Sequence, residues 1–531
     1  MLELKPSPSS TDTATGEYRE RRRAMLKFLD RHADSIQGKL GCFDRILIQG
    51  NLRHIGNSYE ITKYFRWRKM MFKGFQEWAK PYSESIRADV KAVADAAGVE
   101  IQVIRKSRSV RKEDLIEGVL KTRGRHPGIV HILSTMEACM TYQPWHNKKT
   151  HENYLRPCTG KCTHFYVYFI DEELGLCHLR IPTWAPFKLQ FCMNGHNWLA
   201  NEMTDVGIEF AQVDNAFTWV EDLAAAQKIA DEFSPERLHQ RLDAMVERFV
   251  PTLLTIDGGI QWGIAQIEYS TDIMFDRSDV LSPVYEEVVR TLSHAVKPDQ
   301  ISMFLGKRLA PSFEGELGTG FVRRTEGMCL RHFMASSGIK IYDKYGRILR
   351  IECFTNKVSF FTHYRTVHHR DGTESFTKAP VCKTIYSLPD LVRIMAACNR
   401  RYIEFIGAVD DPTNEIRAVE RISQRVRKND RTYRGFNLFD QGDLSVIRAI
   451  AQGQHVGFGF RNRHLRSTLP GRSSAQVSRI IKRLRMHGLV KKAARSFKYH
   501  LTALGKRVAA TALKLKEMFV IPSLRGRLAT T

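Results

Sequence analysis

From Leu444 to Lys516 the chain contains no aspartate or glutamate, yet it carries 17 lysines and arginines. Like charges crowded on one surface repel, and a fold built for stability alone interleaves signs. A field of one sign at this density therefore predicts an anionic partner, nucleic acid first. The alternative is a merely solvated basic face. The 531 residues hold 82 Lys and Arg against 57 Asp and Glu, a net charge of +25. Most of that excess thus lies in 73 residues. Hydrophobic residues make up 43% of the chain, enough for packed cores and too many for global disorder. The length implies three or four domains at about 100–200 residues each.

Within the basic stretch, the pattern predicts helix, helix, helix, hairpin, helix. Asp443 is placed to cap a helix with Leu444, Ile447 and Ile450 on one face, and a short helix covers Asn462 to Arg466. Ser473 or Ser474 then caps a third helix from Ala475 to His487, where Val477, Ile480, Ile481 and Leu484 form one apolar stripe. Gly488 stands where a helix end needs a left-handed residue. Leu489–Lys491 and Tyr499–Leu501 pair around Ala494-Arg495-Ser496, and Ala503 to Met518 closes the unit. The run from Ser474 to Leu484, then His487-Gly-Leu-Val, a basic turn and Leu501-Thr-Ala-Leu-Gly, resembles the winged helix-turn-helix of MarR-type DNA-binding proteins. The resemblance implies a recognition helix in the major groove of duplex DNA. Arg pairs there with guanine and Gln with adenine, which points to Gln476, Arg479 and Arg483 for base edges. Arg472, Ser474, Lys482, Arg495 and Lys498 would hold phosphates.

The preceding 440 residues read as mixed α and β. A Ser/Thr/Pro-rich start and a charged helix from Glu17 to Arg31 make 1–40 a flexible basic segment. A strand at Arg45–Ile48, helix from Tyr59 to Ala97, and strands at Val99–Ile104 and Gly128–Leu133 suggest an N-terminal α/β domain over 41–160. Paired strands His164–Ile170 and Leu176–Ile181 open a central α+β domain over 161–410. Ser234-Pro235 and Ser282-Pro283 each read as a helix cap followed by proline, and Leu388 to Val409 as a long helix. Residues 411–440 read as a linker before the winged helix at 441–520. The fold class expected is thus an α+β multidomain chain, with mixed α/β N-terminal and central domains followed by a C-terminal winged helix.

Four further constellations carry possible chemistry. Ile339–Tyr342 and Ile348–Glu352 form a hairpin around Asp343-Lys-Tyr345-Gly. The phrase "Tyr-Asp-Lys … Leu-Arg-x-Glu" resembles a hairpin of rolling-circle replication initiators. That resemblance implies Glu352 with Asp343 holding Mg²⁺ or Mn²⁺, histidines from His363, His368 and His369 as further ligands, and Tyr345, Tyr342 or Tyr364 as nucleophile. The alternative is a plain hairpin with paired charges. Glu268 and Asp272 share a face on either helix or strand and could share a metal, or are ordinary surface acids; Asp44 on the first strand could join an acidic nuclease cluster, with nothing in the sequence to tie it to the others. Cys158, Cys162 and His164 offer three ligands for a structural Zn²⁺, or are core residues of strands. Lys63 to Phe75 interleaves aromatics with bases, either a platform for single-stranded DNA or RNA or a helix with an aromatic core face.

Ten cysteines are too sparse for a disulfide scaffold, which predicts a reducing, cytoplasmic setting. The first residues lack an apolar leader and no run of 18 apolar residues occurs, so no membrane partner is expected. Walker A, dinucleotide-binding and nucleophile-elbow patterns are absent from the sequence.

Overall fold

The computed structural model describes residues 28–105, 111–310, 312–324, 327–369, 371–409, 419–428, 430–452, 455, 459–493 and 496–514. The protein is mixed α/β. No described helix is long and apolar enough to cross a membrane. In chain order the strands of the main sheet and its flanking ribbons are β1 (Ile36–Leu52), β2 (Ile101–Ile104), β3 (Gly128–Asn147), β4 (Glu152–Asp171), β5 (Gly175–Pro182), β6 (Leu189–Asn194), β7 (Phe210–Val213), β8 (Ala216–Val220) and β9 (Ile260–Phe275). They continue with β10 (Leu317–Arg324), β11 (Gly327–Met334), β12 (Ser337–Lys344), β13 (Ile348–Thr355), β14 (Thr362–His368), β15 (Glu374–Pro380), β16 (Val426–Lys428), β17 (Arg431–Tyr433), β18 (Val490–Lys492) and β19 (Tyr499–Leu501).

The chain divides into two compact units, each discontinuous in sequence. The first comprises the described residues of Met1–Ile36, Phe275–Ile351 and Cys398–Thr531; the second comprises Gln37–Met274 and Glu352–Ala397. This differs from the expected succession of domains. The boundary expected at 160/161 falls inside β4, which pairs with β3 from Gly128/Ile170 to Asn147/Glu152. A ladder of that length cannot be cut between domains.

β13 is divided between the units at Ile351/Glu352, and from its Glu352 end the strand order of the second unit is β13-β9-β1-β6-β5-β4-β3-β2. β3 through β6 are joined antiparallel, and β2 joins β3 in parallel. The short strand expected at Arg45–Ile48 is the middle of the 17-residue β1. The helix expected from Tyr59 to Ala97 is two, Ser58–Trp67 and Phe75–Ala97, separated by a single 3₁₀ turn at Phe72–Gly74. Tyr64, Phe65 and Phe75 are buried, while Trp67 stays exposed. Phe65 is fully buried, with ring centroids 6.3 Å from Phe72, 6.1 Å from Phe75 and 5.4 Å from Trp78. Basic side chains lie outside, Arg68 pairing with Asp257 at 2.6 Å. Phe65→Ala is expected to cost about 3–5 kcal/mol, because it removes the ring on which three others pack. A thermal or urea transition of the purified variant checks this.

Ser234 caps the helix Pro235–Phe249 as the sequence predicts, its Oγ accepting from Arg237 N–H at 3.2 Å. Ser282-Pro283 does not open a helix. Pro283 lies inside Ser278–Ala295, whose N-cap is Arg277. The long helix Leu388–Val409 is present.

In the first unit β10, β11, β12 and β13 are consecutive in the sheet order. The β12–β13 turn has Tyr345 at φ 57° and Gly346 at φ 68°, the pair of left-handed residues that a two-residue hairpin favours. Helices Gln441–Ala451, Asn462–Thr468 and Ser474–Met486, the β18–β19 ribbon, and helix Ala503–Lys514 follow in the predicted order. They close over one apolar cluster that includes Ile447, Phe460, Val477, Leu484 and Val508. Asp440, not Asp443, caps the first of these helices, accepting from Asp443 N–H at 2.8 Å. Gly488 has φ 71°, the left-handed conformation expected of it.

Candidate functional site

Three neighbouring strands of the second unit, β13, β9 and β1, each contribute one acid: Glu352, Glu268 and Asp44. Their carboxylate oxygens lie within 4.8 Å of one another. Asp44 is 6% exposed and Glu352 1%, while the Glu268 side chain keeps 15%. Two unit charges at that separation repel by about 3–4 kcal/mol at an effective dielectric near 20. A single divalent cation holds oxygens about 3–4 Å apart around itself, so the spacing suits an ion such as Mg²⁺ or Mn²⁺.

The surroundings fix Asp44 rather than replace a cation. Asn194 and Asn215 both donate from Nδ2 to Asp44 Oδ1, at 2.8 and 2.5 Å. Asn194 ends β6 and caps the helix Gly195–Asp205 by accepting from His196 N–H at 2.9 Å. Gly195 is required at that junction, since a Cβ there would lie 2.3 Å from Phe43 O. His196 sits between two acids, its Nδ1 3.3 Å from Asp44 and its Nε2 3.5 Å from Asp272. Ser270 Oγ approaches His196 Nε2 at 3.3 Å. At the solvent side Arg45, half-exposed, pairs with Glu268 at 3.2 Å.

The sequence singled out Glu352, the pair Glu268 and Asp272, and Asp44; the sheet brings Glu352, Glu268 and Asp44 together. Glu268 and Asp272 do share a face of β9, but four strand residues span about 13 Å, too far for one ion. Asp272 meets His196 instead. Asp343, expected beside Glu352, does not join the acidic group. Its carboxyl lies on β12 in the first unit, pushed up by burial and partly offset by the Gly346 N–H. Tyr345 occupies the hairpin turn, Tyr342 is buried in β12, and Tyr364 is exposed on β14 against Phe376. The three candidate histidines have other partners: His363 with Asp390 at 3.4 Å, His368 with Glu374 at 2.8 Å, and His369 with Ser375 at 2.8 Å. What the sequence missed is the support around Asp44, namely Asn194, Asn215 and His196, which lie far from it in the chain.

Cys158, Cys162 and His164 do not form a three-ligand cluster. All three lie on the extended β4, where Cys158 and Cys162 are about 13 Å apart by strand rise. Cys162 and His164 approach at 3.8 Å, but burial pushes the Cys162 thiol up to about 12 and the His164 ring down to about 4. Among the described residues the acidic trio is the one group of metal-ligating side chains within this reach.

In the C-terminal helices Arg472, Ser474, Arg479 and Lys482 are exposed, Lys498 is half-exposed, and Arg495 lies outside the described residues. Two expected base readers are committed elsewhere. Gln476 closes a capping box, its Oε1 accepting from Ser473 N–H at 2.8 Å. Arg483 is folded inward and bidentate to Asp443 at 2.7 and 2.9 Å. It also donates to the Arg434 and Gly435 carbonyls and lies 3.9 Å from the Phe436 ring centroid. The helical wheel placed Arg483 outside; the chain at Arg434–Phe436, packed over that flank, is invisible to helix periodicity.

No protein family, curated protein or solved structure matches this chain.

Proposed function

We propose that the protein binds duplex DNA through residues 441–514, with Ser474–Met486 as the groove-reading helix of a winged helix-turn-helix. The observation that carries this is the exposed set Arg472, Arg479 and Lys482 on and beside a capped helix, in a stretch that has no acid from Leu444 to Lys516. Arg479 is the base reader that remains once Arg483 and Gln476 are assigned to the fold. Lys482 serves a phosphate. Arg479→Ala is expected to weaken binding to a preferred site by about 1–3 kcal/mol and to relax sequence preference. Lys482→Ala weakens all sequences alike and lowers the salt slope by about one. Gel-shift titrations over salt check both, and failure of the wild-type protein to bind DNA at low salt sinks the reading.

A second reading is favoured by the acidic group: metal-dependent cleavage of a phosphodiester, with the C-terminal helices as targeting module. Asp44, Glu268 and Glu352 would hold Mg²⁺ or Mn²⁺. Such an ion, when bound, polarises a phosphate and lowers the pKa of a coordinated water. Asn194, Asn215 and His196 keep Asp44 in place, and Arg45 at the mouth meets phosphate charge. Supercoiled plasmid incubated with the protein and either ion tests this by the appearance of nicked circles.

A further inference from the structure

The second unit holds a cavity of about 110 Å³ whose lining includes Cys139, His164, Arg180, Trp184, Lys188 and Gln190. No carboxylate lines it. Lys188 is half-buried and has neither an acidic nor a hydrogen-bonding partner among the described residues. Burial, and then the nearby Lys383, disfavour its charged form. Lys383 itself donates to Gln49 Oε1 at 3.2 Å, so the second ammonium is held in place. Arg180 is oriented at the cavity by three contacts: Nη1 to Gln190 Oε1, Nη2 to Glu137 Oε2 and Nε to Tyr166 Oη, each 3.0 Å. That leaves two of its five N–H donors for a ligand. Glu137 does not neutralise the cavity, because it is shared with Lys112 at 2.9 Å and Tyr166 at 2.9 Å. His164 is held neutral, so it adds no charge of its own.

A half-buried ammonium without an acidic partner, under the influence of a second cation, is a cost that an anion removes. The cavity is small beside the about 300 Å³ or more of drug-sized sites, which suits a group the size of a phosphate. We propose that this cavity binds a phosphate group, with Lys188 and the free donors of Arg180 as its ligands. The group is either inorganic phosphate or one phosphodiester of a strand lying on the sheet, with Trp184 beside its sugar or base.

The test uses the full chain and its Lys188→Gln variant. This substitution removes an unpaired amine and is not expected to harm folding. Inorganic phosphate is titrated calorimetrically and in thermal melts. The wild-type protein is expected to bind it and to melt higher in its presence, with Lys188→Gln at least about tenfold weaker. A single-stranded oligonucleotide is then added as competitor. Displacement of phosphate assigns the site to a strand, and no displacement assigns it to the free anion. Equal phosphate binding by the two proteins, or none by either, overturns the proposal. Gel shifts with duplex DNA on the same Lys188→Gln protein report the C-terminal helices separately, so the two readings fail independently.

Discussion

Asp443→Ala is expected to open the C-terminal helices, with amide exchange across residues 441–493 faster by roughly 10²–10³-fold. The side chain is 4% exposed and meets both arms of Arg483, Arg434 at 3.2 Å and the Asn437 N–H at 3.0 Å. Removing it strands the Arg483 guanidinium, 18% exposed, against Phe436 without a counter-charge. Breaking a buried pair from one side costs about 3–5 kcal/mol, whereas replacing both partners with apolar groups is often neutral. The double variant Asp443→Ala with Arg483→Met is therefore expected to exchange more slowly than Asp443→Ala alone. If the single and double variants exchange equally, the pair is not the clamp described here. Burial alone would raise the Asp443 carboxyl, but the Arg483 hydrogen bonds and the Asn437 N–H outweigh it and hold it below the usual range. A depressed carboxyl adds stability that is complete above its unfolded pKa and disappears as pH falls through the folded one. Opening of these helices is thus expected on acidification below about pH 4, and not on the alkaline side.

Glu352→Gln is expected to remove one charged ligand from the acidic group, whose three carboxylates gather within 4.8 Å of one another. The wild-type protein melts higher in Mg²⁺ or Mn²⁺; the variant loses most of that shift. Any metal-dependent nicking falls by about 10³-fold or more, since about 4 kcal/mol of transition-state stabilisation corresponds to that factor. Melting curves with and without each ion are the primary measurement. A variant that still responds to the ions would remove the cation site. Nicking that survives in such a variant would place the chemistry elsewhere.

Much of the C-terminal part was legible because its signals are local. The capping Ser473, the Val477–Leu484 stripe and Gly488 depend on residues within one or two turns, and the helix expected at Ala475 to His487 lies at Ser474–Met486; the last helix, expected to reach Met518, is described from Ala503 to Lys514, and residues 515–518 lie outside the described residues. What the helix surface does was less legible. Arg483 looks outward on a wheel, but Arg434 to Phe436 cover it. The acidic group was hidden for a different reason. Asp44, Glu268 and Glu352 are separated by some 220 and 80 residues, and no period connects them. Only the order β13-β9-β1 makes them neighbours. Cys158 and Cys162 show the converse error, because closeness in sequence means little where the chain is extended.

The interleaving of the two units also has a temporal side. Asp44 leaves the ribosome roughly 300 residues ahead of Glu352, an interval of about 15–60 s at ordinary elongation rates. During that time β9 lacks the neighbour that β13 supplies. The second unit therefore cannot mature on the nascent chain until Ala397 has emerged, by which point much of the first unit has also been made. A nascent chain arrested before Glu352 would carry two of the three acids and an uncovered β9 edge, so the protein assembles its charge-dense centre among its last steps.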